Sequence, residues 1–275
     1  MYCPRCDRTI KEERLEELDN ELKKKFNKDS APAEEGGAVM RLDELSSVDL
    51  KKRMAEKPVI ILPIGGTEAH GGHLPLCTDS AQPEKVADDA AKRVGGLVAP
   101  PLRYAFHSST RNMPGTLTLG FETTRMVVQD ILEALVQNGA DKLVVLSGHA
   151  GSSHLVALKQ ACAAIVSGHP AVKVMMLSDY DLARDYPMDQ TGDGHGGLVE
   201  TSRMMDIAPG LARKTEREGH YVSHGFMIVP DPETSMPSGY VGAAHEASAE
   251  LGRKINEFIV DRLVEEIERS FGVGQ

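Results

Sequence analysis

The features that this chain lacks narrow its function first. It has no excess of positive charge, since 31 Lys and Arg stand against 41 Asp and Glu and the net charge is −10. Nucleic acids are bound through clustered Lys and Arg, so this balance argues against a nucleic-acid partner, although a small anionic ligand remains compatible with a locally basic pocket. No apolar run approaches the roughly 18 residues of a membrane-spanning helix, and we therefore expect no membrane partner.

Tryptophan is absent and cysteine is scarce. Among 275 residues there are four cysteines, at positions 3, 6, 77 and 162. The N-terminal stretch MYCPRCDRTIKEER is too polar for a signal peptide. Without an export signal the cysteines are expected to be reduced thiols, so we expect a cytoplasmic protein. The length allows one large domain with a full hydrophobic core and an appendage.

The appendage is predicted at residues 1–37. The stretch IKEERLEELDNELKKKFNK (10–28) has apolar residues at helical spacing among charges, and DSAPAEEGGA (29–38) has the composition of a linker. We therefore expect an N-terminal helical extension, with the main domain at 38–275. Cys3 and Cys6 form a Cys-x-x-Cys motif, which supplies two of the four ligands of a structural zinc. They form either an N-terminal metal site completed by other residues or a dithiol without metal.

Strands and helices alternate along the main domain. Short apolar runs of the kind buried on both faces of a parallel sheet lie at 59–65, 97–102, 142–148 and 172–178. Helical patterns lie at 81–94, 121–138, 152–166 and 244–270. This alternation predicts a three-layer α/β/α fold with a mainly parallel central sheet and helices on both faces.

Histidines and carboxylates follow three of these elements. They are Glu68, His70 and Asp79 in GGTEAHGGHLPLCTD, His149 in SGHAG, and His195 and Glu200 in GDGHGGLVETS. Parallel sheets bind ligands beyond the carboxyl ends of their strands, so these groups are expected at one edge. Mixed imidazole and carboxylate ligands suit zinc, manganese or iron, and a carboxylate such as Asp79 can bridge two metals. The sequence therefore predicts a metal site.

These motifs carry a resemblance to the creatininase (creatinine amidohydrolase) family. The first stretch resembles the family signature Glu-x-His-Gly-x-His-Leu-Pro with its following Asp, and SGHAG and GHGGLVETS resemble the second and third blocks. The resemblance spans about residues 41–270. It implies a hydrolase of non-peptide C–N bonds that uses two divalent ions (Zn, Mn or Fe) and is often a hexamer.

The resemblance also implies roles for individual residues. Glu68 and His149 would bind one metal, His70 would bind the other, Asp79 would bridge both, and His195 would be catalytic in proton transfer. Creatininases have a Glu at the position of Gly151, which has no side chain. We expect Glu200 to replace that ligand; the alternative is that it orients neighbouring backbone.

Departures from the family pattern bear on the substrate. The absence of tryptophan and the presence of Ala150 and Gly151 after His149 argue against creatinine, and SGHAGSSH differs from the NGHGGN of peptide-trimming members. A formamide deformylase-like reaction on a small molecule is the best remaining interpretation. Creatinine hydrolysis is the alternative within the family, and a non-catalytic metal-binding scaffold or sensor is the alternative outside it.

The sequence offers weaker candidates for substrate binding. The loop RYAFHSSTRNMPGT (103–116) could direct polar side chains towards a phosphate, or it could be a lid with ordinary surface arginines. His73, in the first motif, is either a direct participant or a residue that supports the ligands from behind. The candidates are His73, Arg103, His107, Ser108 and Arg111.

Overall fold

The computed structural model describes the backbone at residues 2–3, 8–9 and 41–274. The chain divides into two compact units, Met1–Ala38 and Val39–Gln275. In the first unit, the short strands β1 (Tyr2–Cys3) and β2 (Arg8–Thr9) pair in antiparallel orientation. The predicted helix at 10–28, the linker, Cys6 and the side chain of Cys3 lie outside the described residues. The functional division into 1–37 and 38–275 stays a prediction.

The second unit has a four-stranded parallel sheet. Its strands are β3 (Ile60–Ile64), β4 (Leu97–Val98), β5 (Lys142–Ser147) and β6 (Lys173–Ser178), in the order β4-β3-β5-β6. The predicted run at 97–102 is longer than β4, because Pro100 and Pro101 have no N–H to donate to a neighbouring strand. Directly after them, Leu102 forms an isolated bridge with Ile64.

Helices cover both faces of this sheet, which confirms the predicted three-layer fold. They are α1 (Ser47–Ala55), α2 (Thr78–Val94), α3 (Phe121–Gln137), α4 (Ser152–Gly168), α5 (Asp179–Ala183), α6 (Leu198–Ile207) and α7 (Ala249–Phe271). Successive residues of a strand point to opposite faces. Ile60 and Leu62 therefore pack with α1, α3 and α4, whereas Ile61 packs with α2, α5, α6 and α7. Of the helices in the described part of the chain, none has the length and apolarity needed to cross a membrane.

Two helix starts differ from the predicted ones. Helix α2 begins three residues before the predicted residue 81, which places Asp79 in its first turn, where free N–H groups favour a carboxylate. Helix α7 begins at Ala249 instead of residue 244, because the side chain of Ser248 accepts a hydrogen bond from the N–H of Leu251 and caps the helix there. The segment Ala244–Glu246 is a separate 3-10 turn.

The strand order directs attention to one edge of the sheet. The chain passes from β3 to β4 on one side and then crosses to β5 on the other side of β3. The order of the strands therefore changes direction between the neighbouring strands β3 and β5. Such switch points leave a crevice at the carboxyl ends of the two strands. A glycine follows each strand. A Cβ added at Gly65 would lie 2.4 Å from the Cα of Ser80, and one added at Gly148 would lie 2.2 Å from the carbonyl oxygen of Asp79. Glycine at both positions therefore lets the first turn of α2 pack directly on the strand ends.

Gly252 provides a test of how closely α6 and α7 pack. A Cβ at this buried position of α7 would lie 1.8 Å from the carbonyl oxygen of Ser202 in α6. The obstacle is backbone, so no rotamer change relieves it, and we expect Gly252→Ala to lower the free energy of unfolding by about 1–3 kcal/mol. Urea denaturation followed by circular dichroism measures this change.

Gly168→Ala is the matched control. It lies at the end of α4 with no atom within 4 Å of the added Cβ. Alanine is favoured over glycine in helices by up to about 1 kcal/mol, so this variant should be at least as stable as the wild type. Equal stabilities of Gly252→Ala and the wild type would contradict the close α6–α7 contact.

Candidate metal centre

The five predicted metal ligands converge at the switch point. They are no more than 7% exposed: Glu68, His70, Asp79, His149 and Glu200. The first two follow β3 and His149 follows β5, whereas Asp79 and Glu200 lie in the first turns of α2 and α6. Three separate segments of sequence therefore supply one buried cluster.

Asp79 lies at the centre of this cluster. Its Oδ1 is 2.9 Å from Nε2 of His70, and its Oδ2 is 3.0 Å from Nδ1 of His149. Glu68 also contacts His149, with Oε2 2.9 Å from its Nδ1. Glu200 lies near His70, with Oε2 3.5 Å from its Nε2. The carboxylate of Asp79 thus belongs to two adjacent groups of ligand atoms, one on each side.

The donor atoms fit divalent metals. Nε2 of His70 and Oε2 of Glu68 are buried without a hydrogen-bond partner in the described part of the chain. Nε2 of His70 is within 2.9 Å of Asp79, yet the two atoms make no aligned hydrogen bond. Unpartnered buried polar atoms are costly and rare, whereas a cation between imidazole nitrogens and carboxylate oxygens would satisfy them. Imidazole and carboxylate ligands are those of zinc, manganese and iron sites.

The cluster has strongly shifted pKa values. Burial favours the neutral form of His70, but the carboxylates of Asp79, Glu200 and Glu68 outweigh it and raise its pKa to about 10. Burial is outweighed in the same way at His149, where Glu68 and Asp79 hold the pKa well above its usual value. Burial raises the pKa of Glu200 to about 7 despite the neighbouring His70. Without metal, the two histidines are therefore protonated at neutral pH.

His195, the residue predicted to transfer protons, lies beside the cluster. Its ring stacks on His70 with a centroid distance of 4.0 Å, and its Nε2 is 2.7 Å from the carbonyl oxygen of Ala69. The Nε2–H therefore donates to Ala69, and Nδ1 is left as an acceptor. Burial, together with the positive charge of His70, lowers the pKa of His195 to about 4. The ring is neutral at pH 7.

His73 supports the site from behind. Its Nε2 lies 3.0 Å from both the carbonyl oxygen of Gly196 and Oγ1 of Thr201. These contacts join the first motif to the loop that carries His195 and to the helix that carries Glu200. The ring also packs edge-on against Tyr240, with centroids 4.6 Å apart. The structure therefore places His73 against protein on these sides instead of among the ligands.

The two arginines of the loop at 103–116 bind other parts of the protein instead of lining the cavity. Arg103 forms a two-pronged ion pair with Glu84 of α2, with both N–O distances 2.8 Å, because that carboxylate lies directly opposite. Arg111 donates to the carbonyl oxygen of Pro230 at 3.1 Å. Ser108, in contrast, lines the cavity above the cluster.

Two further residues of this loop touch the cluster. The hydroxyl of Thr110 donates a short hydrogen bond to Oε1 of Glu68. Nδ1 of His107 lies 3.1 Å from Oε2 of Glu68, and the ring is completely buried. A lone threonine 42 residues from its partner has no sequence pattern that could have identified it. His107 had a signal, a histidine in a loop beyond a strand, but the pattern predicted contact with substrate instead of with the cluster.

A cavity of about 500 Å³ opens above the cluster. Its floor and sides include Glu68, Asp79, His149, His195 and Glu200, and its remaining walls include Ser108, Ser109, Tyr180, Arg184 and Gln190. The volume lies in the range of small-molecule sites. A small molecule can therefore reach the ligand atoms of the cluster.

Metal uptake should release protons. Metals bind neutral imidazole, whereas His70 and His149 are protonated without metal because their pKa values are raised. We expect two to three protons to be released per subunit at pH 7 when both metals bind, two from the histidines and a fraction from Glu200, whose pKa of about 7 leaves it partly protonated. We also expect affinity to rise with pH up to about 10. Calorimetry of zinc binding in buffers with different ionisation enthalpies counts these protons. Metal binding without proton release would contradict the charged state derived for the two histidines.

Comparison with known proteins agrees with this geometry. Residues 43–267 match the model of the creatininase family, described as creatinine amidohydrolase. The creatinine amidohydrolase of Pseudomonas putida is 31% identical over 236 residues, covering 78% of this chain and 90% of that protein. A mycofactocin precursor peptide peptidase of Mycobacterium ulcerans is 27% identical and covers 83% of this chain and 92% of that protein.

Solved structures give the same answer. A crystal structure of creatinine amidohydrolase superposes with a TM-score of 0.78 at 28% identity, covering 86% of this chain and 99% of that one. Other solved creatininases are described as a manganese form and a Zn–Zn form. The family match covers most of the chain, and the fold and ligand cluster of this chain agree with that match. The chain therefore belongs to the creatininase family of hydrolases that act on carbon–nitrogen bonds.

Proposed function

We propose that this protein is a two-metal amidohydrolase that removes a formyl or other small acyl group from the nitrogen of a small molecule. The observation that carries the proposal is the shared carboxylate of Asp79, whose two oxygens face His70 at 2.9 Å and His149 at 3.0 Å. In this scheme His70, Asp79 and Glu200 would hold one metal, and Glu68, Asp79 and His149 would hold the other. Zinc and manganese are supported by the solved relatives, and iron by the chemistry of the ligands.

The chain's own residues account for the proton transfers. Bound divalent ions would polarise the carbonyl oxygen and lower the pKa of a water molecule. His195 is neutral and borders the cavity. Its Nε2–H donates to the carbonyl oxygen of Ala69, so its Nδ1 is free to accept the proton of that water. It then delivers the proton to the departing nitrogen, as a general acid. The hydrogen bond to Ala69 fixes the ring in the orientation that both steps need.

The cavity walls support a small polar substrate. The hydroxyl of Tyr180 is buried and has no hydrogen-bond partner in the described part of the chain. Arg184 contributes a positive charge to the cavity, and the nearest carboxylate oxygen, on Asp181, is 3.8 Å away. A formamide that also carries a phosphate or carboxylate would meet both groups. This is the locally basic feature that a chain of net charge −10 needs in order to bind an anion.

Creatinine hydrolysis is the second candidate. It is favoured by the 31% identity to the creatinine amidohydrolase of Pseudomonas putida. Against it stands the absence of tryptophan and of a side chain at Gly151, where a Cβ would lie 2.5 Å from Nε2 of His149. The two candidates share the reaction centre and differ in the walls of the cavity.

A substrate panel separates these functions. Metal-loaded protein is incubated with N-formyl amines with and without a phosphate or carboxylate group, with creatinine and with short peptides, and formate, creatine or amine is measured. We expect turnover of formamides, highest for those with an anionic group. Turnover of creatinine alone would identify the second candidate, and two bound metals without turnover of any compound would favour a scaffold or sensor.

His195→Asn tests the proton-transfer role. We expect both metals to stay bound and turnover to fall by roughly two to four orders of magnitude, which is the usual contribution of a general acid–base residue. His169→Asn is the control, since this partly exposed histidine pairs with Glu133 outside the cluster. Near-normal turnover of His195→Asn would remove the residue from the reaction.

We also propose a cytoplasmic homo-oligomer, a hexamer by family resemblance. The segment 221–228 supports association, because it presents Phe226 and Ile228 almost fully, and Met227 largely, to solvent. Exposed apolar clusters of this kind favour protein–protein contact. Light scattering that finds a monomer at micromolar concentration would contradict the proposal.

A further inference from the structure

We propose that His107 is a fourth protein ligand on the Glu68 side of the centre, so that the two metal positions are unequal. The inference rests on the two-metal function proposed above. His107 is completely buried, and its Nδ1 lies 3.1 Å from Oε2 of Glu68. Neither of its ring nitrogens makes an aligned hydrogen bond in the described part of the chain. A buried imidazole with two unsatisfied nitrogens beside a carboxylate has the chemistry of a ligand.

The surroundings of the ring favour metal over substrate. Glu68, Asp79, His107 and His149 each offer a ligand atom, and all four atoms lie within 4.8 Å of one another. The rings of His107 and His149 meet edge to face with centroids 4.5 Å apart. His107 is also absent from the cavity lining, although the next two residues of its loop belong to it. The side chain therefore turns inward, away from the space that a substrate would occupy.

The backbone holds His107 in this position. Its N–H donates to Oγ1 of Thr118 at 2.9 Å, and the N–H of Leu119 donates to the carbonyl oxygen of Ala105 at 2.8 Å. On the other side, a Cβ at Gly66 would lie 2.4 Å from Cε1 of His107 and 3.2 Å from Oδ2 of Asp79. Glycine at 66 thus leaves room for the imidazole next to the bridging carboxylate.

The two sides of the centre consequently differ in ligand number. Of the two groups that share Asp79, the other has three members within the same distance of one another, namely His70, Asp79 and Glu200. Four protein ligands complete a tetrahedral zinc shell, whereas three leave a position open for water or substrate. We therefore expect the Glu68 side to hold its metal more tightly and the His70 side to be the exchangeable position.

The first test uses the wild-type protein. A chelator removes metal from the zinc-loaded protein until one ion per subunit remains, and X-ray absorption at the zinc edge counts its imidazole ligands. We expect two, from His107 and His149. One imidazole on the remaining zinc would overturn the inference while leaving a two-metal enzyme intact. Failure of the wild type to bind two metals would instead overturn the proposed function, and this inference with it.

The second test uses variants at position 107. We expect His107→Ala and His107→Gln to weaken the tighter metal by more than about 100-fold, since loss of a residue that only supports a ligand costs about 10–100-fold. Competition with a fluorescent zinc chelator measures both affinities without reference to activity. His169→Ala, the same change outside the cluster, should leave both affinities unchanged. An affinity of the tighter metal within threefold of wild type in both His107 variants would overturn the inference. If neither variant folds, the X-ray absorption measurement on the wild-type protein still tests it.

Discussion

The packing of the first turn of α2 against two strand ends is the constraint on which the site depends. Gly65 and Gly148 allow this close contact, since a Cβ at either position would meet the backbone of α2 within 2.4 Å. The contact brings Asp79 between the segments that follow β3 and β5. Once buried there, its carboxylate needs positive partners, because an uncompensated buried charge costs several kcal/mol. His70 and His149 supply that charge from the two sides when they are protonated, and bound divalent cations would supply it in the proposed metal-loaded protein.

The packing of α2 determines the ligand cluster but not the walls of the cavity above it. Packing of α2 fixes the shared carboxylate, and the strand ends fix the histidines on either side of it. The walls of the cavity are built by other segments, including the loop at 103–116 and the residues after β6. Relatives of this fold include a creatinine amidohydrolase and a peptide peptidase. We therefore propose that substrate choice resides in these walls, which include Tyr180 and Arg184 in this chain.

Sequence predicted those parts of the structure that depend on local pattern. The four strands, the helices on both faces and the convergence of Glu68 and Glu200 follow from apolar runs and from motifs that adjoin them. The strand predicted at 97–102 was too long, because the effect of Pro100 and Pro101 on pairing outweighed the apolar character of the run. Local pattern could not place the partners of side chains that act over long distances in sequence. Arg103 found Glu84 on a neighbouring helix instead of the cavity.

Anomalous diffraction can decide whether the carboxylate of Asp79 joins two metals. Crystals of the zinc-loaded protein would be measured on both sides of the zinc absorption edge. We expect two anomalous peaks per subunit, one next to each oxygen of Asp79, with His70 beside the first and His149 beside the second. A single peak, or two peaks of which only one contacts Asp79, would contradict it.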